Sequence, residues 1–183
     1  MNRYFYSDDD PEGPKIKTIE VELIRSYLKD KLPKIEDKIR MFLDIHAHSA
    51  MQSIFCYSPA SEDPATNQII RRFPMLLDNM SAYFQFDNCK FNNEKYKRNC
   101  ARLGVYRDFD LANSYTIESS CFGYEVKGTE EVEQFKEDHF LKFGEHLLYG
   151  IAKHFGCEPK EADMVSMTHG FDIELDYGLY TKE

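Results

Sequence analysis

The chain has 183 residues, enough for one domain with a buried core. Its 12 Tyr and 14 Phe exclude an aromatic-poor disordered polymer, and a formal net charge of -9 excludes binding of phosphate backbones through the overall field. No apolar run approaches the roughly 20 residues that span a bilayer, and the polar, acidic start MNRYFYSDDD has no signal-peptide pattern. Neither nucleic acid nor a membrane is therefore an expected partner. The five cysteines are odd in number, widely spaced and contain no CxxC, which reads as reduced thiols in a cytoplasmic protein.

Residues 8 to 14, DDDPEGP, read as a loop, because Pro and Gly punctuate a run of mutually repelling carboxylates. Ile16, Ile19, Leu23, Ile24, Tyr27 and Leu28 recur at helical spacing and predict an amphipathic helix ending before Pro33. The short apolar segment Ile39 to Ile45 predicts a buried strand with His46 at its end, and SIFCYS predicts a second strand. Asn67 to Met80 suits a helix that Pro74 must kink or interrupt. ARLGVYRDF, from Ala101, reads as a β-like run. LANSYTIESSCF reads as another, with Tyr115 and Ile117 on one face and Thr116 and Glu118 on the other. Thr129 to Phe155 predicts a long helix with Val132, Phe135, Phe140, Phe143, Leu147 and Ile151 on its apolar face and Gly156 as its stop. Strands alternating with helices predict an α/β sheet flanked by helices, in one domain or part of one.

Three segments carry chemistry. Asp44-Ile45-His46-Ala47-His48-Ser49 places a histidine at the end of a buried strand, where α/β proteins put their sites. A neutral imidazole ligates metals, and a nearby carboxylate can fix its tautomer; a histidine pair hydrogen-bonded at a strand end is the equally open alternative. In Asn113-Ser114-Tyr115-Thr116-Ile117-Glu118, a carboxylate among apolar residues is a candidate general base if desolvated, and otherwise a solvent-facing strand residue. Asn2-Arg3 offers a guanidinium fork and an amide to a carboxylate, a pattern with little meaning by itself.

In order and spacing these segments resemble the zinc metallocarboxypeptidases of the cytosolic, protein-deglutamylating type. Asn2-Arg3-Tyr4-Phe5, a helix, Asp44 to Ser49, and the strand Ser53 to Tyr57 follow the family's sequence of features. So do Phe73 to Leu77, Tyr83 to Phe91, Ala101 to Arg107, Asn113 to Ser119 and the Phe143-Gly144 pair. The resemblance covers residues 1–157 as the C-terminal part of the catalytic domain and leaves 158–183 as a tail. It implies a partial carboxypeptidase-like mixed sheet and a Zn2+ cofactor. It implies that His46 is the third zinc ligand and Glu118 the general base. It implies that Asn2 and Arg3 hold the substrate's terminal carboxylate and that Arg102 sits in the pocket of the released side chain, favouring glutamate. The implied partner is an acidic peptide or protein tail, tubulin among the candidates. His48 receives no chemical role beyond packing or a supporting hydrogen bond, and Tyr96 reads as a surface aromatic.

The departures bear on activity. The family's first two zinc ligands form a His-x-x-Glu motif, and none of the six histidines here begins one. A lone histidine does not hold zinc in a four-coordinate site, so the isolated chain is expected to be inactive and to fold poorly, as a truncated piece of a longer reading frame in which Met1 is internal. Ala47 stands where the family has Gly, and Ala50-Met51-Gln52 where the cytosolic type carries basic residues. Two other readings are a non-catalytic module that keeps the fold and a metal-dependent amidohydrolase. The latter needs further ligands on later strands, whereas His139, His146 and His154 fall on the terminal helix.

Overall fold

The computed structural model describes residues 5, 18–31, 39–93 and 99–157. The acidic loop at 8 to 14, Asn2, Arg3, Tyr96 and the tail at 158–183 lie outside them. Helix α1 spans Ile19–Lys31, followed by β1, Phe42–His48, and β2, Ile54–Ser58. Helix α2 is Pro64–Met80; a 3-10 turn at Phe86–Asn88 leads into the short β3, Lys90–Phe91. Helix α3 is Ala101–Phe109, then come β4, Ser114–Ser120, β5, Gly123–Glu125, and β6, Val132–Gln134. Helix α4, Glu137–His154, ends the described chain.

Four strands form a mixed sheet in the order β1-β4-β2-β3. β1 runs parallel to β4, and β2 runs antiparallel to β4 and parallel to β3. Because strand side chains alternate, β4 offers Tyr115 and Ile117 to one layer and Thr116 and Glu118 to the other. The first layer is the main core, where Ile54, Cys56, Tyr115 and Ile117 meet Phe73 and Leu77 of α2 and Phe143 and Leu147 of α4. Gly150 lets α2 and α4 approach closely, since a Cβ there would lie 2.9 Å from Leu77 Cδ2. On the opposite face a smaller core joins Phe5, Val21 of α1, and Ala101 and Val105 of α3, with Phe42 of β1 packed against it. Arg25 of α1 pairs with Asp108 of α3 at 2.5 Å and ties these two helices together.

α2 begins earlier than expected, because the Asp63 carboxylate accepts the Thr66 N–H at 2.8 Å and Pro64 tolerates the first turn. Pro74 does not interrupt it. A proline lacks the N–H that would bond to the carbonyl four residues earlier, which is that of Ile70. The Tyr115 hydroxyl donates to that carbonyl at 3.0 Å, so the buried acceptor is satisfied across layers.

Two expectations are corrected. Ala101–Phe109 is a helix, not a β-like run. The apparent alternation of Ala101, Leu103 and Val105 is accidental: all five residues from Ala101 to Val105 are buried, and Ala101 and Val105 share a helical stripe. The terminal helix starts at Glu137, not Thr129. Val132–Gln134 pairs with Gly123–Glu125 as an antiparallel ribbon, anchored by the Tyr124 hydroxyl donating to Glu133 at 2.7 Å. Val132 is consequently exposed instead of lying on the apolar helix face. Gly156, with φ +73, does follow the end of α4.

Candidate active site

The parallel pairing of β1 and β4 sets His46 beside Glu118, Asp44 beside Thr116 and His48 beside Ser120. Across the other side of β4, Phe55 lies opposite Glu118 and Tyr57 opposite Thr116. These residues share the sheet face away from α2 and α4. α3 packs over the same face, and the Ser114 hydroxyl donates to the Arg102 carbonyl at 2.8 Å.

Glu118 is only 9% exposed. Burial raises its pKa above the usual carboxylate value, and the neighbouring Asp44 pushes the same way. The basic groups His46, His48 and Arg102 beside it oppose that shift. A carboxyl so placed sits between its charged and neutral forms more readily than a solvated one, which suits it to accept and return a proton.

Asp44 Oδ1 lies 2.9 Å from His46 Nε2. A carboxylate on Nε2 holds the proton there and makes Nδ1 the basic nitrogen of the neutral ring. His48 Nδ1 accepts the backbone N–H groups of Ala50 and Met51 at 3.2 and 3.1 Å, while its ring packs edge-on to Phe55. That geometry supports packing of the turn after β1.

Arg102 is 3% exposed, and its guanidinium carbon lies 5.4 Å from the centre of the Tyr57 ring. Its Nε and Nη2 find no hydrogen-bond partner among the described residues, and neither do Asp44 Oδ2 and Thr116 Oγ1. Buried polar groups are ordinarily paired, so a cation with two unmet donors is a ready receptor for an anion. Thr116 and Tyr57 were not singled out as site residues from sequence. The period of β4 already put Thr116 on the face of Glu118, but nothing local revealed Tyr57 beneath Arg102.

The structure thus brings His46, Glu118 and Arg102 together; Asn2 and Arg3 lie outside the described residues. His139, His146 and His154 do not join them. His139 and His146 stack on Tyr83, and His154 bonds Asn113 and packs on Phe73. Among the described residues no three His, Cys, Asp or Glu side chains converge as a metal centre. The described residues therefore do not complete the zinc site that the resemblance implies.

No protein-family model matches the sequence. In structure the chain is similar to the metallo-carboxypeptidase from Burkholderia cenocepacia, with a TM-score of 0.57 and 19% identity, covering 74% of this chain and 34% of that one. It is likewise similar to the metallo-carboxypeptidase from Pseudomonas aeruginosa, with a TM-score of 0.58 and 17% identity, covering 78% and 37%. The fold is that of part of a metallo-carboxypeptidase. In sequence the chain is 25% identical over 161 residues to cytosolic carboxypeptidase 6 of Homo sapiens, covering 87% of this chain and 31% of that protein. It is 30% identical over 138 residues to cytosolic carboxypeptidase 2 of Mus musculus, covering 74% and 16%. The chain is a distant homologue of the cytosolic carboxypeptidases over part of their length, spanning less than a third of these relatives.

Proposed function

We propose that residues 1–157 are the C-terminal part of a zinc carboxypeptidase catalytic domain that removes acidic residues, glutamate foremost, from the ends of peptides or proteins in the cytoplasm. The observation that carries this reading is the pairing of His46 with Glu118 on the face where two donors of buried Arg102 find no partner among the described residues. In it, Arg102 receives the carboxylate of the departing side chain, and the Tyr57 ring supports the guanidinium. Glu118 takes a proton from the attacking water and returns it to the leaving amine. Asn2 and Arg3 hold the terminal carboxylate, which restricts the reaction to chain ends. His46 is one zinc ligand, and the remaining ligands come from outside the described residues. An acidic protein tail, such as that of tubulin, is the partner this chemistry fits, with Arg102 offsetting the repulsion of a chain of net charge -9.

A non-catalytic module that keeps the fold is the second reading, favoured by the lack of a three-ligand group among the described residues. A chimera separates them, because both readings expect the same of the chain alone. The 183-residue chain alone is expected to bind no stoichiometric zinc and to cleave no polyglutamate peptide. A chimera in which residues 1–157 replace the matching segment of human cytosolic carboxypeptidase 6 is expected to bind zinc and release glutamate. In that chimera Glu118→Gln should lower kcat by roughly 100- to 10,000-fold with zinc retained, and Arg102→Ala should abolish the preference for glutamate over leucine. A folded, zinc-loaded chimera without activity, or one indifferent to Glu118→Gln, overturns the catalytic reading.

A further inference from the structure

Cys56 and Cys89 lie outside the polar face and have no part in the chemistry above. Cys56 sits on β2 with its side chain in the main core and is fully buried, whereas Cys89 is partly exposed between the 3-10 turn and β3. Their sulfurs are 3.6 Å apart, and Cys89 Sγ also accepts the Cys56 backbone N–H at 3.3 Å. The approach is built by backbone. Ile54 N–H donates to the Tyr83 carbonyl at 2.8 Å, Gln85 N–H donates to the Ile54 carbonyl at 2.8 Å, and Cys89 N–H closes the turn on Phe86 at 2.9 Å. The segment carrying Cys89 is therefore strapped to the strand carrying Cys56 just ahead of the β2–β3 pairing of Tyr57 with Lys90.

We propose that Cys56 and Cys89 form a redox pair that a hydroperoxide converts to a disulfide and a dithiol restores. Closing the present gap to a bond of about 2.05 Å needs a movement of about 1.5 Å, within reach of side-chain rotation at two cysteines. The order of events follows exposure. The Cys89 thiolate attacks the distal oxygen of the hydroperoxide, the O–O bond breaks, and the alkoxide or hydroxide leaves, giving the sulfenic acid at Cys89. Cys56 then attacks that sulfur, loses its proton, and expels hydroxide, which the proton converts to water. Two thiols and one hydroperoxide thus yield one disulfide, one alcohol or water, and one water. Burial and the adjacent Cys89 hold the Cys56 thiol well above its ordinary pKa, which fits the second, resolving role and not the first. The bond would clamp β2, whose Phe55 faces Glu118 across the β2–β4 pairing.

The test is hydrogen peroxide titration of the reduced 183-residue chain with thiol counting and a non-reducing peptide map. The five free cysteines should fall to three with a single Cys56–Cys89 linkage, reversible by dithiothreitol. In guanidinium chloride the linkages should instead scatter over all five. Cys56→Ser should leave Cys89 as sulfenic or sulfinic acid with no linkage. The wild-type map stands alone if that variant does not fold. Linkages at Cys121 or Cys157 in equal yield under native conditions, or Cys89 carried to the sulfinic acid while Cys56 remains a thiol, overturn the proposal.

Discussion

Tyr115 shows how one side chain can repair a defect elsewhere in the sequence. Pro74 strips the Ile70 carbonyl of its helical donor, and the Tyr115 hydroxyl supplies another at 3.0 Å. Tyr115→Phe should orphan a buried acceptor and destabilise the fold by about 1–3 kcal/mol in urea unfolding. Pro74→Ala returns an N–H to Ile70, so Tyr115→Phe should cost far less in that background. An equal loss in both backgrounds would show that the contact is incidental. At this scale the sequence was partly legible. His46 and Glu118 stand out because an imidazole and a carboxylate near strand ends are chemically unusual, and the alternation of β4 assigns their neighbours to a face. Tyr115 was legible only as a core residue, because its hydroxyl partner lies 45 positions away. Tyr57 beneath Arg102 was hidden for the same reason.

The elements divide by how far their signals are local. β2 and β4 have short apolar or alternating runs and lie close to their expected places, whereas β1 starts at Phe42 instead of Ile39, runs past His46 to His48 and is not buried, because it is an edge strand of the described sheet. α3 carries no such signal, since every residue in its first turn is buried and burial on all sides erases the helical period. The start of α4 was misplaced because Val132 and Phe135 continue its spacing by chance while the former is committed to the β5–β6 ribbon. The far end of α4 is fastened by His154, whose Nε2 lies 3.0 Å from Asn113 Oδ1. Burial first, then the charges of Arg72 and Arg40, push the His154 pKa down to about 4 from an ordinary 6.5. Between those values the unfolded chain accepts a proton that the folded one refuses. Its contribution to stability is full above 6.5, falls as the pH drops through the window, and levels off below about 4. The total is on the order of 3 kcal/mol. His154→Gln keeps a donor to Asn113 and should flatten this part of the pH profile in urea unfolding; an unchanged slope would place the titrating group elsewhere.

At the scale of the whole molecule, the described sheet ends at β1. β1 pairs only with β4 among the described residues, and its Ile45 is 63% exposed. Unpaired strand edges with apolar side chains invite association, and the relatives extend well beyond the length matched here. The purified chain should self-associate with rising concentration in sedimentation velocity, and Ile45→Lys should suppress that association while leaving the circular dichroism unchanged. Self-association that ignores the substitution would locate the contact on another surface.

β4 turns aromatic and aliphatic groups to one layer and the groups of the proposed chemistry to the other. A slip of one residue against β1 would thrust a carboxylate among Phe73 and Leu77 and leave Tyr115 stranded opposite Arg102. Misalignment would therefore wreck solubility and chemistry in the same stroke. Quality control that clears insoluble copies would then also clear the incompetent ones, without ever inspecting the face where substrates are proposed to land.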